Sequence, residues 1–126
     1  MNIVDSSGWL EYFANGPNAG FFAGVIESPS ELIVPTISLY EVFKRVLQQR
    51  SEGDALQAVG FMQQGTVVDL DATLALSAAK ISDTLKIPMA DSIILATTRI
   101  YHATLWTQDA DFIGIPGVQY VERKAN

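Results

Sequence analysis

Short apolar segments alternate with longer segments of helical periodicity along the whole chain, and this alternation narrows the folds that the chain can adopt. Strands are predicted at residues 2–4, 32–34, 66–70, 103–107 and 117–121. Helices are predicted at residues 9–13, 19–27, 37–50, 72–86 and 89–103, with another that ends near residue 63. Short apolar strands separated by helices are typical of a parallel sheet that is covered on both faces. We therefore predict an α/β fold, a three-layer domain in which a short, mostly parallel central sheet is flanked by helices.

The length of the chain and the continuity of this pattern favour one domain. The sequence has 126 residues, which is within the usual size of a compact domain. It contains no internal repeat, no low-complexity segment and no linker long enough to divide it. We therefore expect residues 1–126 to form a single domain.

The composition excludes several functional classes. The chain has no cysteine and only one histidine, which excludes thiolate zinc sites, cysteine catalysis and a three-histidine metal site within one chain. Eight basic and 14 acidic residues give a net charge of −6, so no global basic surface predicts nucleic-acid binding. No apolar run approaches the roughly 20 residues of a membrane span, and the N-terminus lacks the pattern of a secretion signal. We expect a cytoplasmic protein without a membrane partner.

Acidic residues follow the ends of two predicted strands and lie at the starts of two predicted helices. Asp5 ends the first strand segment, and Asp109 and Asp111 follow the fourth. Glu41 lies early in the helix after the second strand, and Asp91 opens the helix that leads into the fourth strand. In open parallel sheets, ligands bind beyond the carboxyl ends of the strands, where the strand order reverses. If the first and fourth strands are neighbours, these acids converge on one crevice.

Each acid also has an ordinary structural role open to it. Asp5 is a favoured helix cap, and Glu41 can pair with Arg45 one helical turn later. Asp91 suits the first turn of a helix, although its neighbours on that helix face are apolar and a carboxylate there is costly without a partner. The remaining two acids are common turn residues. Their shared arrival at one edge of the predicted sheet favours a functional site.

Crowded carboxylates repel one another unless a divalent cation neutralises them. Ligands that are all oxygens suit Mg²⁺ or Mn²⁺ better than Zn²⁺. Asp5 and Asp91 are the predicted direct ligands, with Glu41 and Asp109 acting directly or through water. Such a centre can activate water against a phosphodiester, which is the task of a metal-dependent nuclease.

Four motifs follow one another along the chain: VDSSGW at residues 4–9, ISLYEV at 37–42, ADSIILA at 90–96 and TQDADF at 107–112. In this order they resemble the PIN-domain family, and in size and motif the chain is most similar to the VapC-type toxins of prokaryotic toxin–antitoxin pairs. The resemblance covers essentially the whole chain. At Gln108, a position where relatives often carry a basic or amide side chain, a substrate contact is in doubt.

The resemblance implies a PIN-like parallel sheet with a Mg²⁺- or Mn²⁺-dependent ribonuclease site. It implies an acidic quartet of catalytic residues, an auxiliary acid and two hydroxyls that support the water network around the cation. The quartet is Asp5, Glu41, Asp91 and Asp109, the auxiliary acid is Asp111, and the two hydroxyls are those of Ser6 and Thr107. The resemblance also implies a homodimer and a partner antitoxin that occupies the acidic groove.

A chain of net charge −6 needs local cations to hold RNA. Lys44 and Arg45 follow Glu41 on the same predicted helix, and Arg99 lies two turns beyond Asp91. We take these three basic residues as candidate substrate contacts, although a solvated helix face accounts for them equally simply.

Two other functions stay open. A metal-dependent phosphohydrolase that acts on small molecules needs similar carboxylates, although the sequence has no glycine-rich phosphate loop. An inert binding module of the same fold is the second alternative, and the complete acidic quartet argues against it. We expect the endoribonuclease toxin.

Overall fold

The fold is built from strands and helices that alternate along the chain, in a computed structural model that describes residues 1–125. Within those residues the five strands are β1 (Asn2–Val4), β2 (Leu32–Pro35), β3 (Thr66–Val68), β4 (Thr104–Thr107) and β5 (Val118–Tyr120). The six α-helices are α1 (Ser6–Phe13), α2 (Ala19–Ile26), α3 (Thr36–Gln49), α4 (Glu52–Met62), α5 (Ala72–Leu85) and α6 (Met89–Ile100). No helix in this part of the chain is long and apolar enough to cross a membrane.

The strands form one parallel sheet in the order β3-β2-β1-β4-β5. Strand order reverses at β1, because the chain first builds outward through β2 and β3 and then returns to add β4 and β5 on the other side. β1 and β4 are therefore direct neighbours, with Val4 opposite Trp106. This arrangement confirms the predicted α/β class and the neighbour relation on which the convergence of the acids depended.

Alternate side chains of the strands β1 and β2 enter opposite cores. Val4 packs in the core beneath α1 to α4, whereas its neighbour Ile3 packs in the core beneath α5 and α6. Val34 and Ile33 divide in the same way on β2. Because successive side chains of a strand point to opposite faces, a sheet between two helical layers needs apolar residues at every position. Burial of both faces of the sheet explains why the strand segments of the sequence are mostly apolar without alternation.

Several element boundaries differ from the predicted ones, and three of the differences have a clear local cause. α1 begins at Ser6 and not at residue 9, because the carboxylate of Asp5 accepts a hydrogen bond from Gly8 N at 3.1 Å and caps the helix. α3 begins directly after Pro35, whose fixed φ of −65° precedes the helix without an intervening loop. α6 ends at Ile100 and not at residue 103, because His102 takes a positive φ of 51° that stops the helix.

A glycine permits the close approach of α1 to β1 and α2. A Cβ atom at Gly8 would lie 2.6 Å from both Phe22 Cε1 and Val4 Cγ1. Both of these side chains are fully buried, so neither can move away cheaply. The start of α1, which carries the capping contact to Asp5, is therefore fixed by packing.

We expect Gly8→Ala to lower the free energy of unfolding by about 1 to 3 kcal/mol, because the added methyl group overpacks the core. Gly24→Ala is the matched control: it lies within α2 with no heavy atom within 4 Å of an added Cβ. That control should raise the free energy of unfolding by about 0.5 to 1 kcal/mol, since alanine is the better helix former. Urea denaturation measures both variants, and equal stabilities would contradict the close-approach argument.

Candidate active site

Asp5 follows β1 and is held in one orientation by three neighbouring groups. Its side chain is 2% exposed. Thr107 Oγ1 donates to Asp5 Oδ2 at 2.8 Å, Ser7 Oγ donates to Oδ1 at 2.9 Å, and Gly8 N donates to Oδ1 at 3.1 Å. The helix cap and the site residue are thus one carboxylate, because the sheet ends where the helix begins. Both roles weighed for Asp5 from the sequence are compatible with this geometry.

The exit of β4 supplies a second carboxylate beside the first. Thr107, the last residue of β4, accepts a hydrogen bond on Oγ1 from Asp109 N at 2.9 Å. Asp109 Oδ1 in turn accepts from Asp111 N at 2.9 Å, which caps the short 3-10 turn Ala110–Phe112. A single threonine hydroxyl therefore connects the groups that follow two neighbouring strands.

Asp91 in the first turn of α6 completes a compact group of carboxylates with Asp109 and Asp111. One oxygen from each of the three lies within 4.8 Å of the others. The sequence resemblance makes Asp111 only an auxiliary acid, whereas the structure includes it in this group with Asp91 and Asp109. The turn conformation of residues 110–112 sets this proximity, and the spacing of acids along the chain does not reveal it.

Glu41 reaches the same region from α3. Its Oε1 accepts a hydrogen bond from Ser6 Oγ at 2.5 Å, which ties α3 to the start of α1. Asp5, Glu41, Asp91 and Asp109 all line one cavity of about 820 Å³. Four segments that are far apart in sequence thus present their acids to a common space at the carboxyl edge of the sheet.

The family model of the PIN domain matches residues 3–118. The chain belongs to the PIN domain family. The matched segment includes all four members of the acidic quartet, so the resemblance inferred from the motifs is confirmed.

This PIN domain also shares its fold with solved structures. It superposes on a toxin–antitoxin complex from Klebsiella pneumoniae with a TM-score of 0.78 and 22% identity over 94% of this chain and 96% of that one. VapC20 from Mycobacterium tuberculosis, described as a sarcin–ricin loop cleaving toxin, superposes with a TM-score of 0.76 and 18% identity. The match covers 94% of this chain and 97% of VapC20. A DNA-bound VapBC complex from Salmonella typhimurium superposes with a TM-score of 0.74 and 17% identity over 97% of each chain. The comparison with curated protein sequences finds no match.

Burial and mutual repulsion favour protonated carboxyl groups in this PIN domain. Burial raises the pKa of Asp5 from 3.8 to about 6, against the opposing effect of its hydrogen bonds from Thr107, Ser7 and Gly8. Burial also raises the pKa of Asp91, from 3.8 to about 7, and the negative charge of Asp109 is the next largest cause. Ionising these carboxyl groups at neutral pH is therefore costly unless positive charge enters the cavity.

The donor set fits a divalent cation. Asp91, Asp109 and Asp111 provide oxygens within mutual reach, and no histidine or cysteine is among the cavity-lining residues in the described part of the chain. Hard oxygen ligands are those that Mg²⁺ and Mn²⁺ prefer. A bound cation would also offset the repulsion that, together with the larger effect of burial, raises the pKa values of Asp5 and Asp91. Asp5 and Glu41 line the cavity together with Asp91 and Asp109 and add further carboxylate oxygens to it.

The basic candidates divide between two places. Lys44 and Arg45 line the acidic cavity, as does Arg123 near the C-terminus. Arg99 does not: it is exposed in the last turn of α6 and lines a separate cavity that includes Lys80. Eight residues of helix separate it from Asp91, which is about 12 Å of rise. The structure thus places Arg99 apart from Lys44 and Arg45, because its position two turns on carries it away from the sheet edge.

Sequence reasoning missed Arg123. It follows the last strand in a charged tail, and no motif or periodicity distinguishes it from Lys124 beside it. Gln108, the doubtful substrate contact, lines the acidic cavity but is only 4% exposed. Its amide hydrogen-bonds to Asn18 and to Ser7 O within the fold.

The raised pKa values give a direction to the pH dependence of stability. Between about pH 4 and pH 7 the cation-free folded state retains protons that the unfolded state has released, so these groups lower the free energy of unfolding as the pH rises. Asp91→Asn removes part of this penalty. Because Asp91 is only partly buried, we expect a gain of about 1 kcal/mol near pH 8, or about 4 °C in Tm, that vanishes near pH 4.

Thermal melts in a chelating buffer at several pH values measure this gain. Asp69→Asn, at an exposed position after β3, is the matched control and should leave Tm unchanged. A lower Tm for Asp91→Asn than for the wild type near pH 8 would refute the repulsion argument.

Proposed function

We propose that this PIN domain is an endoribonuclease that depends on Mg²⁺ or Mn²⁺ and acts as the toxin of a toxin–antitoxin pair. The convergence of Asp5, Glu41, Asp91 and Asp109 on one cavity is the observation that carries this proposal. Carboxylates from four separate segments have no common structural need to meet, and their repulsion destabilises the fold. Cation-assisted hydrolysis gives them a shared purpose.

Each acidic side chain has its own role in the proposed site. Asp5 and Asp91 would hold the cation, Glu41 would position it, Asp109 would orient a water molecule, and Asp111 would assist as an auxiliary acid. A bound Mg²⁺ or Mn²⁺ supplies Lewis acidity, which lowers the pKa of water and offsets charge that develops on the phosphate. Thr107 keeps Asp5 oriented through its 2.8 Å hydrogen bond, and Ser6 does the same for Glu41.

An RNA substrate is supported over small phosphate esters by the form of the site. The cavity of about 820 Å³ is bordered by Lys44 and Arg45, which can contact phosphates flanking the cleaved one. Among its structural neighbours are toxin–antitoxin complexes and a sarcin–ricin loop cleaving toxin. A protein antitoxin that inserts basic side chains into this acidic cavity, and a homodimeric toxin, belong to the same proposal.

We expect Asp5→Asn and Asp91→Asn each to reduce RNA cleavage at least about a hundredfold, because removing a cation ligand weakens several kcal/mol of charge stabilisation. The test is cleavage of RNA by each variant with Mn²⁺, with Mg²⁺ and with a chelator. Asp69→Asn again serves as the control and should retain full activity. Circular dichroism verifies that every variant is folded.

The same assay separates the alternatives. Full cleavage by Asp5→Asn would overturn the assignment of the quartet. Hydrolysis of small phosphate esters without cleavage of RNA would favour the phosphohydrolase, and no cation-dependent hydrolysis of either substrate would favour an inert binding module.

A further inference from the structure

The chain returns to the acidic cavity after its last strand. Val121 N donates to Thr107 O at 3.0 Å, and Glu122 O accepts from Asn18 Nδ2 at 3.0 Å. Thr107 is the residue whose hydroxyl holds Asp5. The segment after β5 is therefore anchored to the same framework that organises the carboxylates, and the anchoring ends one residue before Arg123.

Two buried amides provide this anchor, and together we call Asn18 and Gln108 the amide clamp. Asn18 is 2% exposed and Gln108 is 4% exposed. Asn18 Nδ2 donates both to Gln108 Oε1 and to Glu122 O, each at 3.0 Å. Gln108 Nε2 donates to Ser7 O at 3.4 Å. An amide nitrogen has two donors, so Asn18 has none left for a ligand. One of these hydrogen bonds, from Asn18 Nδ2 to Glu122 O, holds the backbone of the tail, and the other two fix Asn18 against Gln108 and Gln108 against α1.

Arg123, the residue after the clamped carbonyl, lines the cavity together with the quartet. Within residues 1–125 the ion pairs are Arg50–Asp54 and Lys86–Asp83, so Arg123 has no ion-pair partner there. Arg123 and its neighbour Lys124 are both exposed, but only Arg123 lines the cavity. The tail thus brings the positive charge of Arg123, and not that of Lys124, to the acidic cavity.

A guanidinium in this position suits a phosphate. Arginine presents paired N–H donors that match two phosphate oxygens, and it remains charged at every working pH. Once a cation neutralises the carboxylates, Arg123 adds positive charge at the rim of a cavity that Lys44 and Arg45 border from α3. The two elements then offer cations to a strand that passes through the cavity.

We propose that Arg123 binds a backbone phosphate of the RNA strand in the acidic cavity, and that the amide clamp of Asn18 and Gln108 is a positioning device that holds Arg123 there. The inference rests on the proposed nuclease function and adds a binding residue and its support to it.

Arg123→Gln and Lys124→Gln form a matched pair, since each removes one positive charge from adjacent positions of the tail. The probe is a labelled single-stranded oligoribonucleotide, whose binding is followed by fluorescence anisotropy in Ca²⁺ over a range of salt concentrations. We expect Arg123→Gln to raise Kd about tenfold and to make the slope of log K against log salt shallower by about 0.7, the effect of one lost phosphate contact. Lys124→Gln should change Kd by about twofold or less.

Kinetics with Mn²⁺ separate binding from chemistry. Arg123→Gln should raise KM with little change in kcat, because a contact made equally in the ground state and the transition state contributes to binding alone. A loss confined to kcat, or equal effects of Arg123→Gln and Lys124→Gln on Kd, would overturn the inference.

A double-mutant cycle tests the clamp. Asn18→Ala should weaken RNA binding in the wild-type background and have no further effect in the Arg123→Gln background, because both changes remove the same contact. If Asn18 were merely structural, its loss would weaken binding equally in both backgrounds. Thermal melts verify folding, and Arg123→Gln alone decides the binding role if Asn18→Ala fails to fold.

Failure of this inference is distinguishable from failure of the proposed function. If the wild type cleaves RNA and the two glutamine variants behave alike, Arg123 has no special role and the nuclease proposal stands. If the wild type neither binds nor cleaves RNA, both proposals fall.

Discussion

The parallel pairing of β1 with β4 determines where every candidate catalytic group lies. Parallel strands end at the same edge of the sheet, so the residues that follow them, Asp5 and Asp109, are brought together by backbone hydrogen bonds far from either carboxylate. The helices packed on that sheet then deliver Glu41 from α3 and Asp91 from α6 to the same cavity. The site is a consequence of strand order.

The carboxylates at this edge of the sheet also lower the stability of the fold. Hydrophobic cores on both faces of the sheet hold the carboxylates in place, while burial and mutual repulsion raise the pKa values of Asp5 and Asp91. Hydrogen bonds from Thr107, Ser7 and Gly8 offset part of the cost at Asp5. The part of this cost that the hydrogen bonds do not offset favours binding of a divalent cation in the cavity. Cation binding is what the proposed function requires.

Net charge is a poor guide to the surface that would meet RNA. The chain carries −6 overall, yet Lys44, Arg45 and Arg123 all border the acidic cavity. Clustering matters because screening confines the field of each charge to about 10 Å at ordinary ionic strength. A local group of cations beside a neutralised acidic centre can therefore bind a polyanion on an acidic protein.

The sequence by itself determined the elements and the acids. Uninterrupted apolar strands required a sheet buried on both faces, and acids at strand ends predicted a site at the edge, because both signals depend on residues close together in the chain. Only the tertiary structure decided which side chains join that site. The contact between Asn18 and Glu122 spans 104 residues and brings Arg123 to the cavity, the turn after β4 brings Asp111 close to Asp91, and helical rise carries Arg99 away. These placements depend on how distant segments pack, and no local pattern encodes them.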